Sequence, residues 1–123
     1  DATCERGGVS GITLLMIAAS NGHERLVELL LRHGAEINLQ DSYGATTLIN
    51  AAIYGHERVA ELLLQHGAEI NQQNNTGLTA LMLAAYQNHP AVVLCLLRAG
   101  ADTEIRSGVA AGCTALQLAK EKG

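Results

Sequence analysis

The chain has 123 residues, enough for one domain, and 48% of them are apolar, almost all Leu, Ile, Val and Ala, with no Phe and no Trp. No apolar run reaches the ~18 residues of a membrane span, and no charged-then-apolar opening marks a secretion signal. The net charge of −4 and scattered Lys and Arg speak against nucleic acid as the main partner, and three cysteines cannot pair completely, which fits a reducing cytoplasmic or nuclear compartment.

The sequence repeats every 33 residues. Gly11, Gly44 and Gly77 keep that spacing, as do Gly34, Gly67 and Gly100. HERLVELLLRHGAEIN (23–38) returns as HERVAELLLQHGAEIN (56–71) and more loosely as HPAVVLCLLRAGADTE (89–104). A unit this short cannot enclose its own core, so it buries its apolar face against its neighbours. The outcome is an open stacked solenoid with a surface for holding something, not an enzyme built around one pocket. Residues 1–10 are a lead-in, the repeats run about 11–40, 41–73 and 74–108, and 109–123 form a half repeat. All belong to one domain. Lys120, Glu121 and Lys122 suit a polar end cap, but the closing AKEKG reads more as a junction to a further helix, so the chain is expected to be a piece of a longer array.

Each unit starts with a short helix: TLLMIAAS (13–20), TTLINAAI (46–53), TALMLAAY (79–86) and TALQLAKE (114–121). The leading Thr caps the free amides of the first turn. Leu15, Ala18 and Ala19 share one helical face, as do Leu48, Ala51, Ala52 and Leu81, Ala84, Ala85. Breaks follow at Asn21-Gly22, Gly55 and Asn88, residues that tolerate the left-handed conformation of a helix reversal. The second helices span 23–33, 56–66 and 90–99, with Pro90 in a first turn. Their apolar stripes are Leu26, Val27, Leu30, Leu31, then Val59, Ala60, Leu63, Leu64, then Val92, Val93, Leu96, Leu97. The linking segments, such as AEINLQDSYGA (35–45), carry turn residues and read as β-hairpin-like loops.

Gly44, Thr46 and Leu48 (G-x-T-x-L), the Ala-Ala pair, Gly55-His56, the Leu62–Leu64 run and GAEIN (67–71) make the units similar to ankyrin repeats. The resemblance covers about 11–123, and it implies an all-α ankyrin-repeat solenoid of stacked helix-turn-helix units joined by hairpin-like loops. The chain departs from the family's T-P-L-H pattern. Leu14, Thr47, Ala80 and Ala115 stand at the Pro position; Met16, Ile49, Met82 and Gln117 stand at the His position. In the family that His supports a polar network between layers, so its loss implies layers joined more by packing. The spacing from Gly77 to Gly112 is 35, and the extra residues around 107–111 are expected to bulge one hairpin.

Little points to chemistry. His23, His56 and His89 each open a second helix, while His33 and His66 each precede a terminal glycine, so the repeat explains all five without a metal. Single periodic glycines do not form a phosphate loop. Cys95, inside VVLCLL, is expected buried, and neither it nor Cys4 or Cys113 has an evident His partner. Glu24, Glu28, Glu57 and Glu61 with Arg25, Arg32 and Arg58 read as a solvated face. No catalytic residue, cofactor or metal is expected.

The resemblance places a partner on the concave face, lined by hairpin tips and the exposed side of the first helices. Its residues are then Ile12, Ser20 and Asn21; Gln40, Ser42, Tyr43, Ala45, Ile53 and Tyr54; and Gln73, Asn75, Thr76, Leu78, Tyr86 and Gln87, continuing at Arg106, Cys113, Glu121 and Lys122. All three tyrosines of the chain fall in this set, though the repeat framework does not require them there. With Ile12, Ile53 and Leu78 as exposed apolar neighbours they resemble an interface core with a polar rim. The expected role is a monomeric, non-enzymatic scaffold that binds a protein or peptide and neither nucleic acid nor membrane. The alternatives are a methyl-lysine reader built on the tyrosines and a passive spacer. The resemblance also makes Asn38 and Asn71 candidates for hydroxylation, against a turn-locking role.

Overall fold

The computed structural model describes residues 13–105, which contain six helices and no β-strand. The first helices of the three units are α1 (Leu14–Ser20), α3 (Thr47–Ile53) and α5 (Ala80–Tyr86); the second are α2 (Glu24–Arg32), α4 (Glu57–Gln65) and α6 (Pro90–Arg98). Thr13, Thr46 and Thr79 cap the first helices as expected, their hydroxyls accepting from the amides of Met16, Ile49 and Met82 at 3.1, 3.2 and 3.3 Å. Pro90 occupies the first turn of α6, where it breaks no hydrogen bond. None of the six helices is long and apolar enough to cross a membrane.

The helices stack in two rows. In the inner row α3 packs against both α1 and α5; in the outer row α4 packs against both α2 and α6. Leu15, Leu48 and Leu81 fill the space between rows, while Ala18, Ala19, Ala51, Ala52 and Ala84 are fully buried and let neighbouring backbones approach. Each fully buried leucine contributes about 2 kcal/mol of transfer free energy. Met16, Ile49 and Met82 are also buried, so packing does occupy the place of the family's histidine. The outer stripe is less uniform than its sequence. Leu26 is 37% exposed and Leu97 43%, whereas Val59 and Val92, the counterparts of Leu26, are buried. Burial at these positions comes from an adjacent layer, and Leu26 and Leu97 sit in the first and last described layers.

Polar side chains also join the layers. The His56 ring reaches back one unit and donates from Nε2 to the Ser20 carbonyl at 2.9 Å; His89 does the same to Ile53 at 3.0 Å. Each ring lies over a glycine: a Cβ on Gly22 would come within 2.8 Å of His56 Nδ1, and one on Gly55 within 2.6 Å of His89 Nδ1. These glycines therefore serve two ends, a left-handed helix stop and a seat for the next unit's imidazole. At the loop bases, Asn38 Oδ1 accepts from the Glu69 amide and Asn71 Oδ1 from the Asp102 amide, both at 2.9 Å. Packing and hydrogen bonding share the work between layers, and the histidines and asparagines supply the second part.

Candidate functional site

The face shared by the first helices and the loop tips is built from the loops outward. In the first loop the Asp41 amide donates to the Ala45 carbonyl at 2.9 Å, and the Gly44 amide to the Asp41 carbonyl at 2.9 Å, closing a tight hairpin. Asp41 Oδ1 accepts from the amides of Tyr43 (2.8 Å) and Ala45 (3.0 Å), a side-chain mimic of a turn. Asn74 repeats this in the second loop, accepting from Thr76 and Leu78. Gln40 Nε2 spans its own loop to the Gly44 carbonyl at 2.8 Å and touches the Gln73 carbonyl at 3.3 Å. Gln73 Nε2 donates to the Gly77 carbonyl at 2.8 Å. Asn75 ties the tips together, with its amide on the Tyr43 carbonyl (2.9 Å) and its Nδ2 on the Ser42 carbonyl (3.0 Å).

Tyr43 is 76% exposed at the first tip, Tyr54 is 57% exposed as the C-cap of α3, and Tyr86 is 44% exposed at the end of α5. Asn21, Ser42, Asn75, Thr76 and Gln87 are exposed as well. Three apolar expectations need correction. Ile53 and Leu78 are half-buried against the core rather than exposed, and Ala45 is buried, because each helps seal one layer to the next. Ile12, Arg106, Cys113, Glu121, Lys122 and the long fourth loop lie outside the described residues.

A groove of about 250 Å³ opens on this face between α1, α3 and the first loop. It is lined by Met16, Ile17, Ser20, Asn21, Asp41 and Asn50. Of these, Met16, Ile17, Asp41 and Asn50 were not among the expected contact residues. A signal was available for two of them: Ile17, Asn50 and Leu83 are related by the repeat, and this column varies from apolar to polar.

Charge divides sharply between the rows. Among the described residues the first helices and their turns carry no Asp, Glu, Lys or Arg at all. The loops carry Glu36, Asp41, Glu69, Asp102 and Glu104 and no Lys or Arg. All four described arginines sit on second helices, balanced by Glu24, Glu28, Glu57 and Glu61. Arg32 pairs with Glu28 at 3.2 Å and Arg58 with Glu61 at 3.6 Å, both exposed and each worth little.

On the outer row a shallow hollow of about 370 Å³ lies between α4 and α6, bordered by Glu57, Glu61, Leu94, Cys95 and Arg98. Cys95 is half-buried there rather than buried as its sequence setting implies; its repeat counterparts Leu29, 52% exposed, and Leu62, half-buried, stand at the same outward position. Burial raises its thiol pKa, Glu61 and Glu57 raise it further, and Arg98 opposes them. A thiol held protonated in this way is a poor nucleophile. Among the described residues no group of three or more His, Cys, Asp or Glu is placed to hold a metal.

Two family models match the sequence. One, described as ankyrin repeats (3 copies), covers residues 1–74; the other, ankyrin repeats (many copies), covers residues 63–119. No curated protein matches the chain.

Proposed function

The chain belongs to the ankyrin-repeat family, and we propose that it is a monomeric, non-enzymatic recognition module whose concave face holds a peptide or folded protein in the cytoplasm or nucleus. Ankyrin repeats generally mediate protein–protein interaction and are typically non-enzymatic. The observation that carries the finer reading is the placement of Tyr43, Tyr54 and Tyr86. The chain has three aromatic residues, and all three stand exposed at loop tips and first-helix ends, outside the core. Tyrosine brings rigid apolar area with a polar tip at small entropic cost, which suits an interface. The hydrogen-bonded loops beneath these rings are fixed before a partner arrives, which lowers the cost of ordering on binding.

The test is affinity capture from cytosolic and nuclear extracts with mass spectrometry. The chain is compared with a Tyr43→Ala/Tyr54→Ala/Tyr86→Ala variant of equal helicity by circular dichroism. A specific partner held by the first and lost by the second supports the reading. Identical capture by both removes the tyrosines from the site, and no specific capture by either favours a passive spacer. Paired trimethyl-lysine and unmodified peptides test a methyl-lysine reader, which requires a preference for the methylated form that the triple variant loses.

A further inference from the structure

The groove between α1, α3 and the first loop has a composition that its neighbour lacks. Its floor is apolar, formed by Met16 and Ile17. Its walls are polar: Ser20, Asn21 and Asn50, with one charged group, the Asp41 carboxylate. Asp41 Oδ1 is engaged by two backbone amides, which leaves Oδ2 for an incoming donor. One repeat further on, the corresponding positions are Ile49, Asn50, Ile53, Tyr54, Asn74 and Leu83. There Ile replaces Ser20, Tyr replaces Asn21 and Leu replaces Asn50, while Asn50 replaces Ile17 and Asn74 replaces Asp41, so the walls gain apolar bulk, the floor loses some, and the charge is gone. Among the described residues no Lys or Arg faces either position, since every described arginine lies on the outer row.

We propose that the first groove is a subsite for a single Lys or Arg side chain of an extended partner segment, whose alkyl stem lies on Met16 and Ile17 and whose cationic head meets Asp41 and Asn50. This is how long basic side chains divide themselves between apolar and polar surroundings, and a carboxylate is their strongest neutral-pH partner. The loops add to the preference through Glu36, Glu69, Asp102 and Glu104, which give this side of the molecule a net negative field and favour a cationic visitor. One repeat further on, the exposed Tyr54 ring takes an apolar residue of the same segment. Neighbouring helices pack about 8–10 Å apart, and an extended chain advances ~3.3 Å per residue. The cation and the apolar residue are therefore about three residues apart in the partner. The assignment rests on the concave-face reading and gives it a ligand chemistry.

The test is selection of a random-peptide display library on the immobilised full chain, on Asp41→Asn and on Asn50→Leu. Both substitutions copy what the next repeat already carries, Asn74 and Leu83, so the loop and the helix are kept while the charge or the groove is removed. Peptides retained by the chain are expected to carry Arg or Lys with an apolar residue about three positions away. The basic preference disappears on both variants and the apolar one remains. A selected peptide then binds Asp41→Asn about fivefold more weakly, and raising salt narrows that difference. Selected peptides without a basic preference, or with one that both variants keep, overturn the subsite. In that case, loss of the same peptides on Tyr54→Ala/Tyr86→Ala leaves the concave-face reading standing. If no peptide is selected, or selected peptides ignore the tyrosine substitutions, both fail.

Discussion

Thr46 and Thr47 are adjacent, chemically identical and equally buried, yet the structure gives their hydroxyls opposite values. Thr46 Oγ1 caps α3 by accepting from the Ile49 amide at 3.2 Å. Thr47 Oγ1 is buried with no hydrogen-bond partner, although the residue is only 1% exposed. A buried hydroxyl left without a partner costs about 1–3 kcal/mol. Thr47→Val keeps the shape and removes that group, so it is expected to stabilise the fold by about 1–2 kcal/mol. Thr46→Val removes a cap and is expected to destabilise by about 1 kcal/mol. For a domain of this size 1 kcal/mol moves the melting temperature by about 4 °C. Thermal melts followed by circular dichroism should thus rise for Thr47→Val and fall for Thr46→Val. Thr47→Pro extends the argument: the position is the first of the helix, and Thr46 already has ψ 172°, the extended backbone that must precede proline. Proline there is expected to match or exceed valine, because it also narrows the unfolded ensemble. Shifts of the same sign for the two valine variants, or a melting point lowered by Thr47→Val, would refute the assignment of the unpaired hydroxyl.

Asn88 has φ 62° where the two earlier units use Gly22 and Gly55. Asn88→Gly is expected to raise the unfolding free energy by about 0.5–1 kcal/mol, read as a higher urea midpoint with an unchanged slope. Gly55→Ala should do the reverse and cost more, since its Cβ would also strike the His89 ring. Asn71→Ala removes the acceptor for the Asp102 amide, and hydrogen exchange at Asp102 should accelerate while exchange in α3 stays unchanged. The same residue can be checked for hydroxylation by intact mass after cellular expression, where one added oxygen is about 16 Da. The raised thiol pKa of Cys95 carries a definite sign. The unfolded thiol loses its proton first, so the associated stability is complete below the ordinary value of 9.0 and is lost as pH rises through the higher folded value. Thiol titration with an aromatic disulfide at neutral pH should accordingly be slower at Cys95 in the folded chain than in urea.

The repeat made the helices and their caps legible. Thr13, Thr46 and Thr79, the alanine pairs and the glycine stops are local signals, and local hydrogen bonding decides them. Exposure was less legible because it depends on the neighbouring layer. Leu26 and Val59 occupy the same repeat position, yet one is 37% exposed and the other 1%. Ile53 and Leu78 read as exposed on a single-unit pattern and are half-buried once the units stack. His56 and His89 stand in the framework as expected, but their bonds to the carbonyls of the preceding unit, which span 36 residues, were not foreseen. The groove was missed for a related reason. Its walls come from three elements of two units, and only comparison of Asp41 with Asn74 and of Asn50 with Leu83 reveals that one gap is open and charged.

The loop hydrogen bonds also narrow the contact surface. Gln40, Gln73 and Asn75 were expected to meet a partner, yet their side-chain amides are engaged with loop carbonyls. Each such bond made to a partner would first have to be broken inside the loop, which offsets most of its gain. Recognition energy therefore has to come from other exposed groups: the rings of Tyr43 and Tyr54, the Asp41 Oδ2 and the floor of the groove. The glutamines and Asn75 act on binding indirectly. Asn75 joins the second tip to the first through two bonds to Ser42 and Tyr43, so it holds Tyr43 at a set distance from the face of α3. Replacing Asn75 with Ala removes the side-chain bond to the Ser42 carbonyl, keeps the backbone bond to the Tyr43 carbonyl, and so loosens the tip that carries Tyr43 without deleting any exposed ring. Its signature is weaker binding, with the loss in ordering entropy rather than in contacts.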